Sequence, residues 1–348
     1  LNKLNQKDAA LKSLERAVAI KPDFEEAYNN LGNVFKELDQ HDAALKSYKK
    51  AIAIKPDFAE AQNNLGIALK DLEQLDAAVK CFKKAIAIQP DNAEARFNLG
   101  DTLRELGQLD AAVKSYEKAR AIKPDHVGAH NNLGISLHKL KQLDDAVKSF
   151  KKAIVIEPGF AEAHNNLGNV LKALGQFDAA IKNYEKALAI KPDFVDVYNN
   201  LGITYMDLGQ QDKAVKCYEQ ALTINPDFAD AHNTLGIAHM NLGQLDMAVK
   251  CYEKALTINP DYVEAHNNLS MALTDLGKLD EALISCGHAT MLKPDFEYIF
   301  GTTLNTKMKL CIWNNLTKHL DELTNKINNN KKVITPFYML GLIDDPEL

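Results

Sequence analysis

Nine prolines, Pro22, Pro56, Pro90, Pro124, Pro158, Pro192, Pro226, Pro260 and Pro294, stand 34 residues apart with no insertion or deletion between them. A fixed period of that length marks a stack of helix-turn-helix units, in which no unit buries its apolar face alone and each shares a core with its neighbours. The repeats, and not the length of 348 residues, therefore set the organisation of the chain. Function in such an array is expected on an extended surface.

One repeat, Asp57 to Pro90, shows the pattern. Asp57 followed by Glu60 predicts a capping box that opens a first helix. Ala61, Leu65, Leu69 and Leu72 form its apolar stripe. A turn follows at Glu73 and Gln74, where later repeats carry Gly107, Gly175, Gly209, Gly243 and Gly277, so the position calls for positive φ. Leu75, Ala78, Val79, Phe82, Ala85 and Ile86 make the stripe of the second helix, and Pro90 lies past its end because proline cannot continue it.

Small residues mark close approach: Gly32, Gly66, Gly100, Gly134, Gly168, Gly202 and Gly236 on first helices, and the series Ala44, Ala78, Ala112 and Ala51, Ala85, Ala119 on second helices. The alanines bracket one large residue per repeat, drawn from Tyr48, Phe82, Tyr116, Phe150, Tyr184, Tyr218 and Tyr252. This set of positions resembles the tetratricopeptide repeat. The resemblance implies an all-α, right-handed superhelical α-solenoid with eight full units (25–58, 59–92, 93–126, 127–160, 161–194, 195–228, 229–262 and 263–296), preceded by a partial unit at 1–24 and followed at 297–348 by a degenerate capping repeat and helical linker. Where that family often has tryptophan early in the first helix, this chain has Tyr28, Gln62, Arg96, His130, His164, Tyr198, His232 and His266. The last unit also replaces glycine by Ser270 and the aromatic by Cys286. Leu1, in place of Met, opens inside a repeat, so the chain reads as a piece of a longer protein.

Composition narrows the function classes. A net charge of −6 supplies no basic stripe for nucleic acid. No apolar run approaches the roughly 18 residues of a membrane span, and no signal peptide is expected before the repeats. Cys81, Cys217, Cys251, Cys286 and Cys311 show no metal-ligand spacing. Cys217 and Cys251, one repeat apart, are expected to be about 8–10 Å apart, beyond disulfide reach, which favours free thiols and a cytoplasmic location. The equivalent histidines are separated in the same way, too far to share one zinc ion, and read as packing or surface residues. No phosphate-binding glycine loop occurs, and the carboxylates recur as caps and solvated faces, so no catalytic residue, metal or cofactor is assigned to this chain.

The asparagines stand apart. Asn30, Asn64, Asn98, Asn132, Asn166, Asn200 and Asn268 occupy one place in seven of eight units, broken only by Thr234, and six of the seven follow another asparagine. Asparagine is a mediocre helix former and the apolar core does not call for it. A carboxamide donates and accepts, matching the groups of an extended peptide. A rise of about 8–10 Å per repeat spans roughly three residues of extended chain, so the series is expected to bind peptide as a ladder on the inner face. Descent by duplication alone would leave the same series, although Asn33, Ile67, Asp101, Ile135, Asn169, Ile203, Ile237 and Met271 beside it have diverged.

Past Pro294 the period decays. Leu316, Leu320, Leu323 and Ile327 predict a short amphipathic helix, and an apolar connector ends at Asp345-Pro346, an N-cap followed by proline at the first helical position. The run Lys307 to Cys311, Trp313, the Pro336-Phe337 pair and Asp345-Pro346 make this tail similar to the linker of bacterial O-linked N-acetylglucosamine transferase-like proteins, glycosyltransferase family 41; Ile312 departs from that family's usual acidic residue. The resemblance implies that the repeats are a substrate-docking arm holding protein substrates on a concave asparagine ladder, with a transferase using a UDP-sugar downstream. The other readings are a stand-alone assembly scaffold, or a chaperone adaptor that clamps acidic tails with first-helix cations. Against the adaptor, Glu26, Glu60, Glu94, Glu162, Asp196, Asp230 and Glu264 line one equivalent place, with Gly128 the exception. Partners are expected to be proteins or extended peptides, not nucleic acid or membrane, with oligomerisation left open.

Overall fold

The structure, a computed structural model, describes residues 2–296, 299–312, 314 and 316–328. Trp313, the Pro336-Phe337 pair and Asp345-Pro346 lie outside them. The described residues form helices and turns with no strand, packed as two compact units, Leu1–Gln176 and Phe177–Leu348.

The first unit runs α1 (Asn2–Ile20), α2 (Glu25–Glu37), α3 (His41–Ile54), α4 (Ala59–Asp71), α5 (Leu75–Ile88), α6 (Ala93–Glu105), α7 (Leu109–Ile122), α8 (Val127–Lys139), α9 (Leu143–Ile156) and α10 (Ala161–Ala173). The second runs α11 (Phe177–Ile190), α12 (Val195–Asp207), α13 (Gln211–Ile224), α14 (Ala229–Asn241), α15 (Leu245–Ile258), α16 (Val263–Asp275), α17 (Leu279–Leu292), α18 (Ile299–Lys309) and α19 (Leu316–Asn328). Within each unit a first helix packs on the second helix of its own repeat, and that helix packs on the first helix of the next. Successive first helices come within 8 Å of one another between Cα atoms, whereas successive second helices do not. The first helices are thus the inner row of each stack and the second helices the outer row.

The pairing follows from residue size. A Cβ built on Gly32 would lie 2.4 Å from Tyr48 Cε1, and one on Gly66 would lie 2.6 Å from Phe82 Cε1. Each ring is buried between alanines such as Ala44 and Ala51 or Ala78 and Ala85, all fully inaccessible. The small-large-small reading is the packing observed. Burying one such ring contributes about 1.5–3 kcal/mol, so these sandwiches are a main source of cohesion in each repeat. In the last unit the sizes change together: Ser270 fills the place of the glycine and the smaller Cys286 that of the aromatic, with Oγ and Sγ 3.2 Å apart. The tail helices complete the second unit. Ile299 of α18 packs on Cys286 and Ala289, and Leu323 of the predicted amphipathic helix is fully buried.

First helices end in left-handed turns. The glycines at 107, 175, 209, 243 and 277 have φ between 69° and 77°, and Asp39, Glu73 and Lys141 take the same conformation at 56°, 59° and 62°. Each terminus closes with a bond back to the last turn, as in Gln74 N–H to Leu69 O at 2.9 Å. A non-glycine residue costs about 1–2 kcal/mol in this region. Lys141→Gly is therefore expected to raise stability by about 1 kcal/mol, read as a higher denaturation midpoint; no rise would mean that the Lys141 side chain offsets its strain.

The helix starts differ from the expected capping box. Residues 55–58 form a turn, with Phe58 N–H donating to Lys55 O at 3.2 Å, which delays α4 to Ala59 and leaves Phe58, not Asp57, at the cap without a side-chain bond. Where a polar residue replaces that phenylalanine it does cap: Asn92 accepts from Ala95 N–H at 2.9 Å and His126 from Ala129 N–H at 3.1 Å.

Candidate functional site

Most inner helices carry their asparagines as a pair with divided duties; α6 keeps only the second member, Asn98, and α14 only the first, Asn233. The first member, Asn29, Asn63, Asn131, Asn165, Asn233 or Asn267, is buried, and the second is half-buried except for exposed Asn30. In the first unit Asn64 Nδ2 donates to Asn29 Oδ1 at 3.1 Å and to Asn33 Oδ1 at 3.3 Å. Asn98 Nδ2 donates to Asn63 Oδ1 and Asn166 Nδ2 to Asn131 Oδ1, both at 3.1 Å. In the second unit Asn268 Nδ2 donates to Asn233 Oδ1 at 3.0 Å, and Thr234 Oγ1 reaches Asn199 Oδ1 at 2.9 Å. The fold therefore does use these amides, which the apolar core was not expected to call for: Asn64, Asn98, Asn132, Asn166 and Asn268 each clasp their helix to the one before. Among the described residues only α1 precedes the helix of Asn30, and Asn200 is half-buried.

One clasp is wired differently. Phe97 occupies the place of the buried asparagine in α6, and Asn132 Nδ2 donates instead to Asp101 Oδ1 at 2.7 Å. The same oxygen accepts from Tyr116 Oη at 2.6 Å. Burial first, and then the Asp101 charge, push the Tyr116 phenol far above its usual range, so it stays a donor. Tyr48 likewise donates to Asn33 Oδ1 at 2.8 Å and is pushed up to about 12, chiefly by burial. Ile67 and Ile135 stand at the equivalent place where the ring is Phe82 or Phe150, so in these four repeats a hydroxyl is present only where an acceptor awaits it.

One hydrogen of each clasping amide is committed, and the other groups decide what remains for a ligand. Asn132 Oδ1 accepts from Asn131 Nδ2 at 3.1 Å. The Oδ1 atoms of Asn64, Asn98, Asn166 and Asn268 accept nothing from the described residues, and the clasp fixes their orientation. Between α2 and α4 the row opens into a cavity of about 220 Å³ lined by Asn33, Lys36, Glu37, Tyr48, Asn64 and Ile67. The buried asparagines went unassigned in the sequence reading, although their doublets were visible in it.

The histidines act on the turns. Nε2 of His130 lies 3.0 Å from Pro124 O, and Nε2 of His232 and His266 lie 2.9 Å from Pro226 O and Pro260 O. A carbonyl only accepts, so Nε2 carries the proton. Arg96 binds Pro90 O in the same way through Nη2 at 2.8 Å. No group of three or more metal-ligating side chains converges among the described residues. The cysteines there are free, and burial pushes the Cys217 and Cys251 thiols up to about 11, which keeps them protonated and unreactive. No described helix is long and apolar enough to cross a membrane.

Comparison with known proteins agrees with this geometry. The family model described as TPR repeat matches residues 1–39, 32–72, 136–175, 168–209 and 204–243, and models described as tetratricopeptide repeat match 57–125, 229–262 and 251–284. Among solved structures, MamA is 33% identical over 47% of this chain and 95% of its own, with a TM-score of 0.43. A tetratricopeptide repeat protein from Parabacteroides merdae is 18% identical over 72% of this chain and 98% of its own, at 0.58. Cut9 with Hcn1, from an APC/C hetero-tetramer, gives 18% over 76% of this chain and 52% of that one, also at 0.58. The last two likenesses are of fold. No curated protein matches the chain in sequence.

Proposed function

The chain belongs to the tetratricopeptide repeat family, and from that premise we propose that its inner row binds extended protein segments through the asparagine series Asn30, Asn64, Asn98, Asn132, Asn166, Asn200 and Asn268. The repeats themselves are non-catalytic. The observation that carries the reading is the division of labour within the amides of Asn64, Asn98, Asn166 and Asn268: Nδ2 is held by the preceding helix, so Oδ1 is an oriented acceptor for the N–H of a stretched peptide. Preorganisation of this kind lowers the cost of binding.

Thr234 shows how to test it. Threonine places one donor within reach of the preceding asparagine, shared with the Asp230 carbonyl of its own turn, but offers no amide carbonyl, so Asn98→Thr keeps part of the clasp and removes the rung. Asn98→Thr is expected to weaken extended peptides by about 1 kcal/mol, roughly fivefold, and Thr234→Asn to strengthen them by a similar factor. The measurement is fluorescence anisotropy on peptides selected from an array of unstructured sequences, with unfolding midpoints as control. Affinities unchanged in both variants would dispose of the ladder.

We carry the reading one step further: the repeats serve as the substrate-docking arm of a UDP-sugar-dependent protein transferase. Its support is the tail sequence from Lys307 through Cys311 and on to Pro346. Two nucleotide-sugar-binding lobes encoded past Leu348 would support it, and a stop codon would leave an assembly scaffold.

A further inference from the structure

Basic residues recur next to the last position of the inner helices of the first unit, at Lys36, Lys70, Arg104, His138 and Lys172. The first two are neutralised by the following repeat. Lys36 Nζ lies 3.2 Å from Asp71, and Lys70 Nζ lies 3.0 Å from Glu105 and 4.0 Å from Asp101. Both pairs join a cation to the residue 35 positions later. For Arg104 that residue is Lys139, and for His138 it is Ala173.

The interruption extends through the whole of α8. The other inner helices from α2 to α16 each carry at least one Asp or Glu, while α8, with Gly128, Ile135 and Lys139 at the three places where α6 has Glu94, Asp101 and Glu105, carries none. The nearest acid of the adjoining helix start, Glu94, is paired with His126 at 3.5 Å. Asp101 is taken by Tyr116 and Asn132. Arg104 Nε is buried with no hydrogen-bond partner. Lys139 is exposed; Arg104 interacts with the Tyr116 hydroxyl, and no carboxylate forms an ion pair with either cation among the described residues. His138, held below its usual pKa by burial and by Lys141, adds a neutral N–H donor at neutral pH.

We infer that this stretch of the inner row is a subsite for one acidic side chain, aspartate or glutamate, of the bound segment, held by Arg104 and Lys139. The inference rests on the peptide-binding reading above and gives it a register. Charge complementarity selects the occupant: α8 brings no carboxylate of its own to repel an acid, and offers Lys139 at the place whose counterparts pair with the cation 35 residues earlier, here Arg104, whose planar guanidinium can bind both oxygens of a carboxylate.

Lys139→Glu recreates the carboxylate that serves Lys36 and Lys70, and so occupies Arg104 from within. The full chain, the Lys139→Glu variant and the Lys139→Gln variant are to be probed with acetylated peptides of about 12 residues, the length that roughly four repeats span, each position scanned with Glu, Gln, Lys and phosphoserine. The expected result is one position at which Glu binds about tenfold better than Gln, with the preference weakened in Lys139→Gln and abolished in Lys139→Glu while unscanned affinity persists. Binders with no acidic position, a preference for phosphoserine alone, or a Glu preference that survives Lys139→Glu would overturn the inference and leave the ladder standing. If no peptide binds the wild-type chain, the peptide-binding reading itself fails, and this subsite with it.

Discussion

Gly100→Val is expected to cost about 3 kcal/mol and to loosen the inner row around it. A Cβ at this position would lie 2.6 Å from Tyr116 Cε1, closer than real atoms pack. The ring has nowhere to retreat, because Ala112 and Ala119 enclose it with no accessible surface. Its hydroxyl is tied as well, to Asp101 at 2.6 Å, and Asp101 holds Asn132 at 2.7 Å. Displacing the ring therefore breaks packing and the clasp between α6 and α8 together. Gly107 is the control. It has open space around its Cα and φ of +72°, so Gly107→Ala costs only the left-handed conformation, about 1–2 kcal/mol. Urea denaturation followed by helical circular dichroism ranks the two; a Gly100→Val cost equal to that of Gly107→Ala would contradict the close-approach role.

The two kinds of glycine were both legible in the sequence, because a 34-residue period repeats each position often enough to separate a residue required by contact from one required by φ. The helix pairs and the aromatic-alanine sandwiches were legible for the same reason. The capping box was not: Asp57 and Glu60 have the right spacing, but the turn at 55–58 postpones the helix by one residue, and a spacing rule does not see that. The clasps were missed on another ground. They join Asn64 to Asn29 and Asn98 to Asn63, 35 residues apart, and self-similarity aligns equivalent residues without saying which inequivalent ones touch. A signal was present in the exceptions. Phe97 breaks the doublet in the same helix that brings Asp101, and Gly128, Ile135 and Lys139 empty α8 of acid together.

That exchange of Asn-Ile-Phe for Phe-Asp-Tyr supplies the sharpest test of the clasp. Asn131 is buried, accepts from Asn166 Nδ2 and donates to Asn132 Oδ1, both at 3.1 Å, so Asn131→Phe strands two partly buried amide groups. Its expected cost is about 2 kcal/mol, most of it from groups left unsatisfied. The chain already contains the remedy in α6, where Phe97 coexists with Asp101 and Tyr116. Adding Ile135→Asp and Phe150→Tyr to Asn131→Phe copies that wiring one repeat along and gives Asn166 a new acceptor. The triple variant is expected to recover about half of the loss or more, a coupling of about 1 kcal/mol that independent substitutions would not show. Strictly additive costs in a full mutant cycle would mean that the clasp contributes nothing to holding the inner helices. Because the clasp also orients Asn166 Oδ1, peptide affinity should fall in the single variant and return in the triple one, tying the cohesion of the stack to the surface it presents.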